Sequence, residues 1–368
     1  MRTVVITDGK YRSSIAAARA LGRAGYNVVV TQTRGDVAAE PPVFSSRYVS
    51  HVHWFEGEAS DESYADRLLG FLNTLDRPIL LCVGAVTLNT VSRQRDRFAE
   101  AADFLIAPPA VLDALNDKEA VHQRCEELGI AVPRQYRGRP DRYPVVIKPH
   151  CGEKFGLKAS ERYAVAHDDK QYDAHLARMC VYDPEPLVQE MVVGDGAGAS
   201  LLLGADGQLL AAICHRRVRE YPVSGGPSTC CESFYDADMI DKAYRLLQSF
   251  GFCGMAMVEF KGEHILEVNP RIWGSFPMTE CAESPFTHKY ALAAAGEEVA
   301  YVPRDYKTGV RMRFLLNDSV AILQYLRRGY FKKFLEGVGD FFTAKEALSS
   351  PEDPAPMRKY LKQYLPGR

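Results

Sequence analysis

The stretch from Met255 to Arg271 reads Met-Ala-Met-Val-Glu-Phe-Lys-Gly-Glu-His-Ile-Leu-Glu-Val-Asn-Pro-Arg. Alternate residues of a strand share a face, so Glu267, Asn269 and Arg271 line up on one side, and Leu266 and Val268 on the other. In the strand before the glycine, Met255, Met257 and Glu259 share a face. A three-residue loop of Gly262, Glu263 and His264 sets Glu259 opposite Glu267 and Phe260 opposite Leu266. A two-residue loop sets Glu259 opposite Leu266 and spoils both faces, so the pattern selects the longer loop. Facing carboxylates repel unless a cation lies between them. Two glutamates and an asparagine offer only hard oxygen donors, the set that suits Mg²⁺, with Mn²⁺ as the related ion, shared with substrate phosphates. Arg271 on that face can neutralise an anion beside the metal. The competing account is a solvated outer strand whose charges do no chemistry.

Other side chains carry weaker signals. Lys148 ends the apolar run Pro144-Val-Val-Ile-Lys, and taken alone it is equally explained by snorkelling to solvent. His215, Arg216, Arg217 and Arg219 form a basic run ahead of Tyr221-Pro222 and Ser224-Gly225-Gly226. That run is either a solvated cationic strand or a cradle for an acidic group, with Arg217 and Arg219 on the side of His215 and Arg216 on the other. His51 and His53 can share a strand face but have no third ligand nearby. Cys151, Cys230 and Cys231 lack a His–Asp companion pattern, which makes them ordinary thiols. Trp273 is expected to pack beneath the carboxylate-bearing strand. Arg327-Arg328 and Lys332-Lys333 are expected on a solvated helix face, with no membrane role.

These groups need elements to hold them. A chain of 368 residues has room for two or three domains with real cores. Its 45 basic and 47 acidic side chains exclude a polybasic nucleic-acid binder and an acidic disordered chain. No apolar run approaches the ~18 residues of a membrane span, and the N-terminus reaches Asp8-Gly9 too soon for a signal-peptide core. Nine scattered cysteines without a CxxC pair suit thiols kept reduced in a cytoplasm, not a disulfide scaffold or a zinc cluster. Val4-Val5-Ile6, a helix through Ile15, Ala18 and Leu21 ended by Gly25, and Val28-Val29-Val30 make a βαβ unit of a parallel sheet. Ile79–Gly84 and Phe104–Ile106 read as further strands. The G-x-G-x-x-G fingerprint is absent, so this domain is expected to be substrate-side scaffold.

From Asp117 the texture changes. A helix runs from Asp117-Lys118 to Leu128 and stops at Gly129, and Pro144–Lys148 follows as a strand. Beyond the Gly152–Gly156 stretch come a strand over Leu187–Val193 and a hairpin around Asp206-Gly207. A helix near 243–250, the Gly262 strand pair and a helical, partly basic tail from about Val320 complete the chain.

Lys118, Lys148, the Gly152–Gly156 loop, Gln189-Glu190 before Gly194-Asp195-Gly196, and the set Glu259, Glu267 and Asn269 occur in one order. That order resembles the ATP-grasp superfamily. The stretch from Arg219 to Ser233 and the run Glu267-Val-Asn-Pro-Arg-Ile-Trp-Gly274 resemble more closely its carboxylate–amine ligase branch, including the D-aspartate-ligase-like proteins of peptidoglycan assembly. The likeness covers nearly the whole chain, by motif from Lys118 onward and by topology before it. It implies a mixed α/β and α+β chain, an ATP-grasp fold behind an N-terminal Rossmann-like (pre-ATP-grasp) parallel-sheet domain. The boundaries it implies are 1–110 for that domain, 111–185 for the small lobe with its lid, 186–318 for the catalytic lobe and 319–368 for a C-terminal helical tail.

The same resemblance implies ATP and Mg²⁺ as cofactors. Lys118 and Lys148 would contact the phosphates, with Lys148 also near the adenine. Glu190 would accept from the adenine amino group, the backbone of Met191 or Val192 would complete the adenine edge, and Val193 would lie beside the ribose. Glu259, Glu267 and Asn269 would hold two Mg²⁺ ions, and Arg271 would stabilise an acyl phosphate. Arg217 would join the catalytic set as part of a cradle for the acceptor carboxylate or the γ-phosphate. The lid departs from the family's pattern. Cys151-Gly-Glu-Lys-Phe-Gly-Leu-Lys158 puts Phe155 where bulk is unexpected, and Lys154 and Lys158 could supply charge in place of glycine backbone contacts.

The expected reaction joins a small-molecule carboxylate (an amino acid, peptide or metabolite) to an amine through an acyl phosphate, releasing ADP and phosphate. A homodimer is the default assembly, and neither nucleic acid nor membrane is an expected partner. The alternatives are an ATP-grasp kinase or carboxylase-type enzyme, or a nucleotide-binding protein that has lost its chemistry.

Overall fold

Strand β1 (Thr3–Ile6) is apolar and buried, and the chain leaves it through helix α1 (Arg12–Arg23) to return parallel to it as β2 (Asn27–Thr33). The computed structural model describes residues 2–150, 163–223 and 226–364. Strand β3 (Val49–Phe55), helix α2 (Tyr64–Leu72) and strand β4 (Ile79–Leu81) complete a parallel sheet in the order β3-β2-β1-β4. The strand order reverses between β1 and β4, where open α/β sheets commonly take a ligand. In this chain Asp8 occupies that crevice. Its carboxylate accepts from Thr7 Oγ1, from the Gly84 N–H at 3.0 Å and from Thr87 Oγ1 at 2.9 Å. Gly84 is the N-cap of helix α3 (Ala85–Arg93), so a side-chain carboxylate from the loop after β1 satisfies the N-terminus of the helix after β4.

The expected strand over Phe104–Ile106 does not form. Helix α4 (Arg95–Ala101) leads to a single bridge between Ile79 and Asp103, after which the chain runs on without a ladder. Leu105 donates its N–H to the Tyr290 hydroxyl at 3.4 Å, and that hydroxyl donates to the Leu80 carbonyl at 2.8 Å. The tyrosine thus stands in for a strand partner, and Pro108 and Pro109 have no N–H to continue one.

Helices α5 (Pro109–Asn116) and α6 (Lys118–Glu127) lead into a small antiparallel sheet. It comprises β5 (Val145–Lys148), β6 (Ala164–Ala166) and, after helix α7 (Asp169–Met179), β7 (Leu187–Glu190), in the order β6-β5-β7. Its core is its own, built on Val145, Ile147, Ala166, Tyr172, Met179 and Val188. The strand expected to reach Val193 stops at Glu190, and Gly194 at φ +149° turns the chain away.

The largest sheet starts with the hairpin of β8 (Gly196–Leu203) and β9 (Leu209–Glu220), then β10 (Ser228–Phe234). Helix α8 (Ala237–Ser249), capped by Asp236, starts well before the expected position and precedes β11 (Gly254–Lys261) and β12 (His264–Asn269). Helices α9 (Met278–Cys281) and α10 (Phe286–Ala294) lead to β13 (Arg311–Arg313). The last elements are α11 (Leu315–Arg327), α12 (Phe331–Thr343), β14 (Lys345–Glu346) and α13 (Ala355–Tyr364). The sheet order is β12-β11-β8-β9-β10-β13-β14. Two buried apolar clusters run from the N-terminal sheet into this one, joining Val5 and Val29 to Leu201 and Val258, and Ile6 and Val28 to Leu202 and Met255. The C-terminal segment returns to the first helix, where Arg19, 1% exposed, donates to Asp353 Oδ2 and to the Leu348 carbonyl, both at 2.9 Å.

Among the described residues, no helix is long and apolar enough to cross a membrane, and the cysteines are free thiols. Cys230 and Cys231 are buried, and burial pushes the Cys230 thiol up to about 12, as suits unreactive packing groups. Trp273 is 2% exposed and packs edge-on against Phe276 and Phe286.

Candidate active site

The β11–β12 hairpin pairs Glu259 with Glu267 and Met257 with Asn269, as the alternation requires. The expected loop is corrected. Lys261 pairs with His264 and Phe260 with Ile265, so the turn holds only Gly262, at φ +56°, and Glu263. The extra residue sits in a bulge at Leu266, between the two registers. This solution keeps Phe260 and Ile265 in the core at 1% exposure each and releases Leu266 to line a cavity. A short turn and a facing carboxylate pair coexist because the bulge absorbs the mismatch.

Lys118 is the first residue of α6, fixed there because the Asp117 carboxylate accepts from the Glu119 N–H at 2.8 Å and the Ala120 N–H at 3.3 Å. Its Nζ lies 3.2 Å from Glu267 Oε2. Lys148 closes β5, and two residues on, His150 is held by Asp183 Oδ2 through its N–H and its Nδ1, each at 2.9 Å. Arg217, on β9, places Nη2 2.5 Å from Glu259 Oε1. The Arg271 N–H donates to the Asn269 carbonyl at 2.8 Å, and its Nη1 donates to the Ile272 carbonyl at 3.3 Å. Lys118, Lys148, Arg217, Glu259, Glu267 and Arg271 line one cavity of about 770 Å³ between the small sheet and the large one.

The charges are strongly coupled. Burial pulls the Lys148 ammonium down to about 8, helped by neighbouring Lys118 and opposed by Glu267 and Glu259. Burial pushes the Glu259 carboxyl up, with Glu267 opposite it adding to the rise and Arg217 resisting. Burial also works against a charge on Glu267, yet Lys118 and Lys148 outweigh it and hold that carboxyl below its ordinary range. The Glu259 and Glu267 side chains remain 15% and 36% exposed, so a ligand in the cavity can reach both.

Each carboxylate already leans on a cation, and among the described residues no cluster of three His, Cys, Asp or Glu side chains is placed to hold a metal ion. Two carboxylates and one amide fill only part of an octahedron. That donor set fits a Mg²⁺ ion completed by phosphate and water, and does not fit an ion held by protein alone.

At the far end of the cavity, Glu190 Oε1 accepts from the Arg134 N–H at 2.9 Å, and the Met191 N–H donates to the Pro144 carbonyl at 3.2 Å. Both are thus engaged in strand-end bonds, Glu190 through Oε1 and Met191 through its N–H. Glu190, Met191 and Val192 line the cavity. Val193 does not: its side chain is 87% exposed, because β7 has already ended and the alternation no longer turns it inward. Lys154, with Phe155, Lys158 and the rest of the expected lid, lies outside the described residues.

The basic run divides. Arg217 enters the site, whereas Arg219 does not act as a free cradle. A bulge in the β9–β10 pairing around Val218 reverses the alternation, and Arg219, with no exposed side-chain surface, bonds Asp318 Oδ2 at 2.8 Å and Asp340 Oδ2 at 2.6 Å. Arg216 pairs with Glu232, and His215 meets Ser275 Oγ at 2.9 Å. Sequence reasoning missed Glu220, Tyr163, Tyr325 and Lys333, which also line the cavity. Glu220 follows Arg217 at the end of the same strand, a signal that was open to view. Tyr325 and Lys333 come from α11 and α12, and nothing local marks them as cavity residues.

The sequence model of the ATP-grasp domain matches residues 115–275. No curated protein matches the chain. Among solved structures, the chain is similar to the biotin carboxylase β-γ-ATP complex of Campylobacter jejuni, with 13% identity and a TM-score of 0.62 over 84% of this chain and 74% of that one. It is similar to the biotin carboxylase domain dimer of Hydrogenobacter thermophilus 2-oxoglutarate carboxylase, a complex with MgADP, ADP and bicarbonate, at 11% identity and TM-score 0.63 over 84% and 73%. It is also similar to N5-carboxyaminoimidazole synthetase of Staphylococcus aureus, at 14% identity and TM-score 0.59 over 81% and 78%. At such identities the likeness is one of fold.

Proposed function

Because the chain has the ATP-grasp fold, with the domain itself over residues 115–275, we propose that it is an ATP-dependent carboxylate–amine ligase. One observation carries the reading: Glu259 and Glu267 face each other, with Asn269 beside them, in a cavity that also gathers Lys118, Lys148, Arg217 and Arg271. A face of that composition suits a polyphosphate and an anionic second substrate.

A substrate carboxylate oxygen attacks the γ-phosphorus of ATP, and the bond from that phosphorus to the β–γ bridging oxygen breaks to release ADP. An amine then attacks the acyl carbon, losing a proton as the C–N bond forms and phosphate leaves. Lys118 and Lys148 neutralise the phosphates through both steps. Arg271, at the end of the carboxylate-bearing strand, holds the transferring phosphoryl group against the acyl oxygen, and Arg217 orients Glu259. Mg²⁺ arriving with the nucleotide would be held by Glu259, Glu267 and Asn269 and would draw charge from the phosphate oxygens. Val192 and the Glu190 strand end offer the backbone edge for adenine. Catalysis of this type is positioning and charge neutralisation, and needs no protein nucleophile.

The test uses hydroxylamine as a generic amine with ATP, Mg²⁺ and a panel of amino acids, dipeptides, small carboxylic acids and bicarbonate. A ligase yields ADP and a hydroxamate only with its own carboxylate. ADP accompanied by a stable phosphorylated product and no hydroxamate would place the enzyme among kinases and overturn the reading.

A further inference from the structure

The hairpin of α11 and α12 carries apolar side chains on its outer face as well as on its inner one, where Ala321, Ile322 and Tyr325 are buried. Its inner face carries buried Asp318 and Asp340, clamped on Arg219, and the close approach of Ile322 to Gly337. Its outer face carries large apolar side chains. More than half of the exposed large apolar side chains among the described residues fall between Val320 and Phe342. On α12 they form one stripe at helical spacing, Phe331, Leu335, Val338 and Phe342, exposed by 63%, 66%, 40% and 90%, and Leu323 and Leu326 are exposed on α11. An exposed apolar stripe of this kind marks a surface that meets something.

The charge pattern says what it meets. Arg327, Arg328 and Lys332 crowd the exposed tip between the helices, and from Ser319 to Leu335 the chain carries no acidic residue. Aromatic and aliphatic side chains on one face, with cations at their border, are the composition of an interfacial helix on anionic lipid. Against the expectation from sequence that this basic helix face has no membrane role, we propose that the outer face of the α11–α12 hairpin docks on an anionic lipid surface. The inner face of the same hairpin supplies Tyr325 and Lys333 to the cavity wall, so the docked surface lies directly behind the site. The inference is independent of the ligase reading, because it concerns binding alone.

The experiment is sedimentation of the full chain with vesicles of phosphatidylglycerol mixed with phosphatidylcholine, against phosphatidylcholine alone, with light scattering for mass. The wild type should pellet with the anionic vesicles and less so as salt rises. Phe331→Ser/Phe342→Ser should lose most of that binding, and Arg327→Gln/Arg328→Gln should weaken it about thirtyfold. All four positions are exposed, so thermal unfolding should be unchanged in both variants. Three results overturn the proposal: a wild type that stays in solution with anionic vesicles, pelleting that survives loss of the two phenylalanines, or a solution dimer that Phe342→Ser dissociates.

Discussion

Lys148 ties nucleotide affinity to pH in a way that can be worked from its surroundings. Burial and Lys118 lower its ammonium to about 8, so in the unliganded protein it is about nine-tenths charged at about pH 7 and about one-tenth charged at about pH 9. A bound phosphate prefers the charged form and restores the proton. Nucleotide affinity should therefore fall about tenfold between those two pH values, while proton uptake on binding rises from near zero towards one. The unliganded protein moves the other way. Above about pH 8 the unfolded lysine, with its ordinary value of 10.5, holds more protons than the folded one, so this group makes folding more favourable as pH rises towards that value. Titration calorimetry of ADP with Mg²⁺, in buffers of different ionisation enthalpy, reads both affinity and proton uptake. Lys148→Arg keeps the positive charge on a side chain that does not titrate in this range, and should flatten the profile. A wild type with constant affinity and no proton uptake across this window would refute the reasoning, since it would mean that Lys148 does not face the phosphates.

Three further outcomes follow from particular contacts. Glu267→Gln removes the carboxylate that Lys118 and Lys148 keep ionised, and should lower turnover on the order of 10²–10³-fold with the nucleotide still bound, checked by steady-state kinetics beside ADP calorimetry. Arg219→Ala strands Asp318 as a buried carboxylate without its cation, while Asp340 keeps Arg311, and should cost about 3–5 kcal/mol in chemical denaturation; a neutral result would return Arg219 to the list of substrate contacts. Gly254, at φ +105°, sits so that an added Cβ would lie 2.7 Å from the Leu105 carbonyl oxygen, so Gly254→Ala should lower stability by roughly 2 kcal/mol or more in the same measurement.

The cavity residues that are placed by local geometry were legible from the chain. Glu259 and Glu267 oppose each other because alternation and a glycine turn act within a few residues, and Lys118 begins a helix because Asp117 caps it. Even there, the turn and the Leu266 bulge were not legible. Two loop lengths satisfy the same carboxylate pairing once a bulge is allowed, and packing of Phe260 and Ile265 into the core decides between them.

What the chain alone could not determine depends on partners far away in sequence. Arg217 and Arg219 look alike on one strand, yet one reaches Glu259 and the other is claimed by Asp318 and Asp340, 99 and 121 residues further on. Val193 points outward because its strand ends three residues early. The C-terminal helices form a cavity wall because buried Asp318 and Asp340, with Ala321, Ile322 and Tyr325 beside them, anchor their inner side, and their outer face is left apolar and exposed. Periodicity reports which residues share a face. Whether that face meets core, cavity or an outside partner is decided only when distant elements compete for the same contacts.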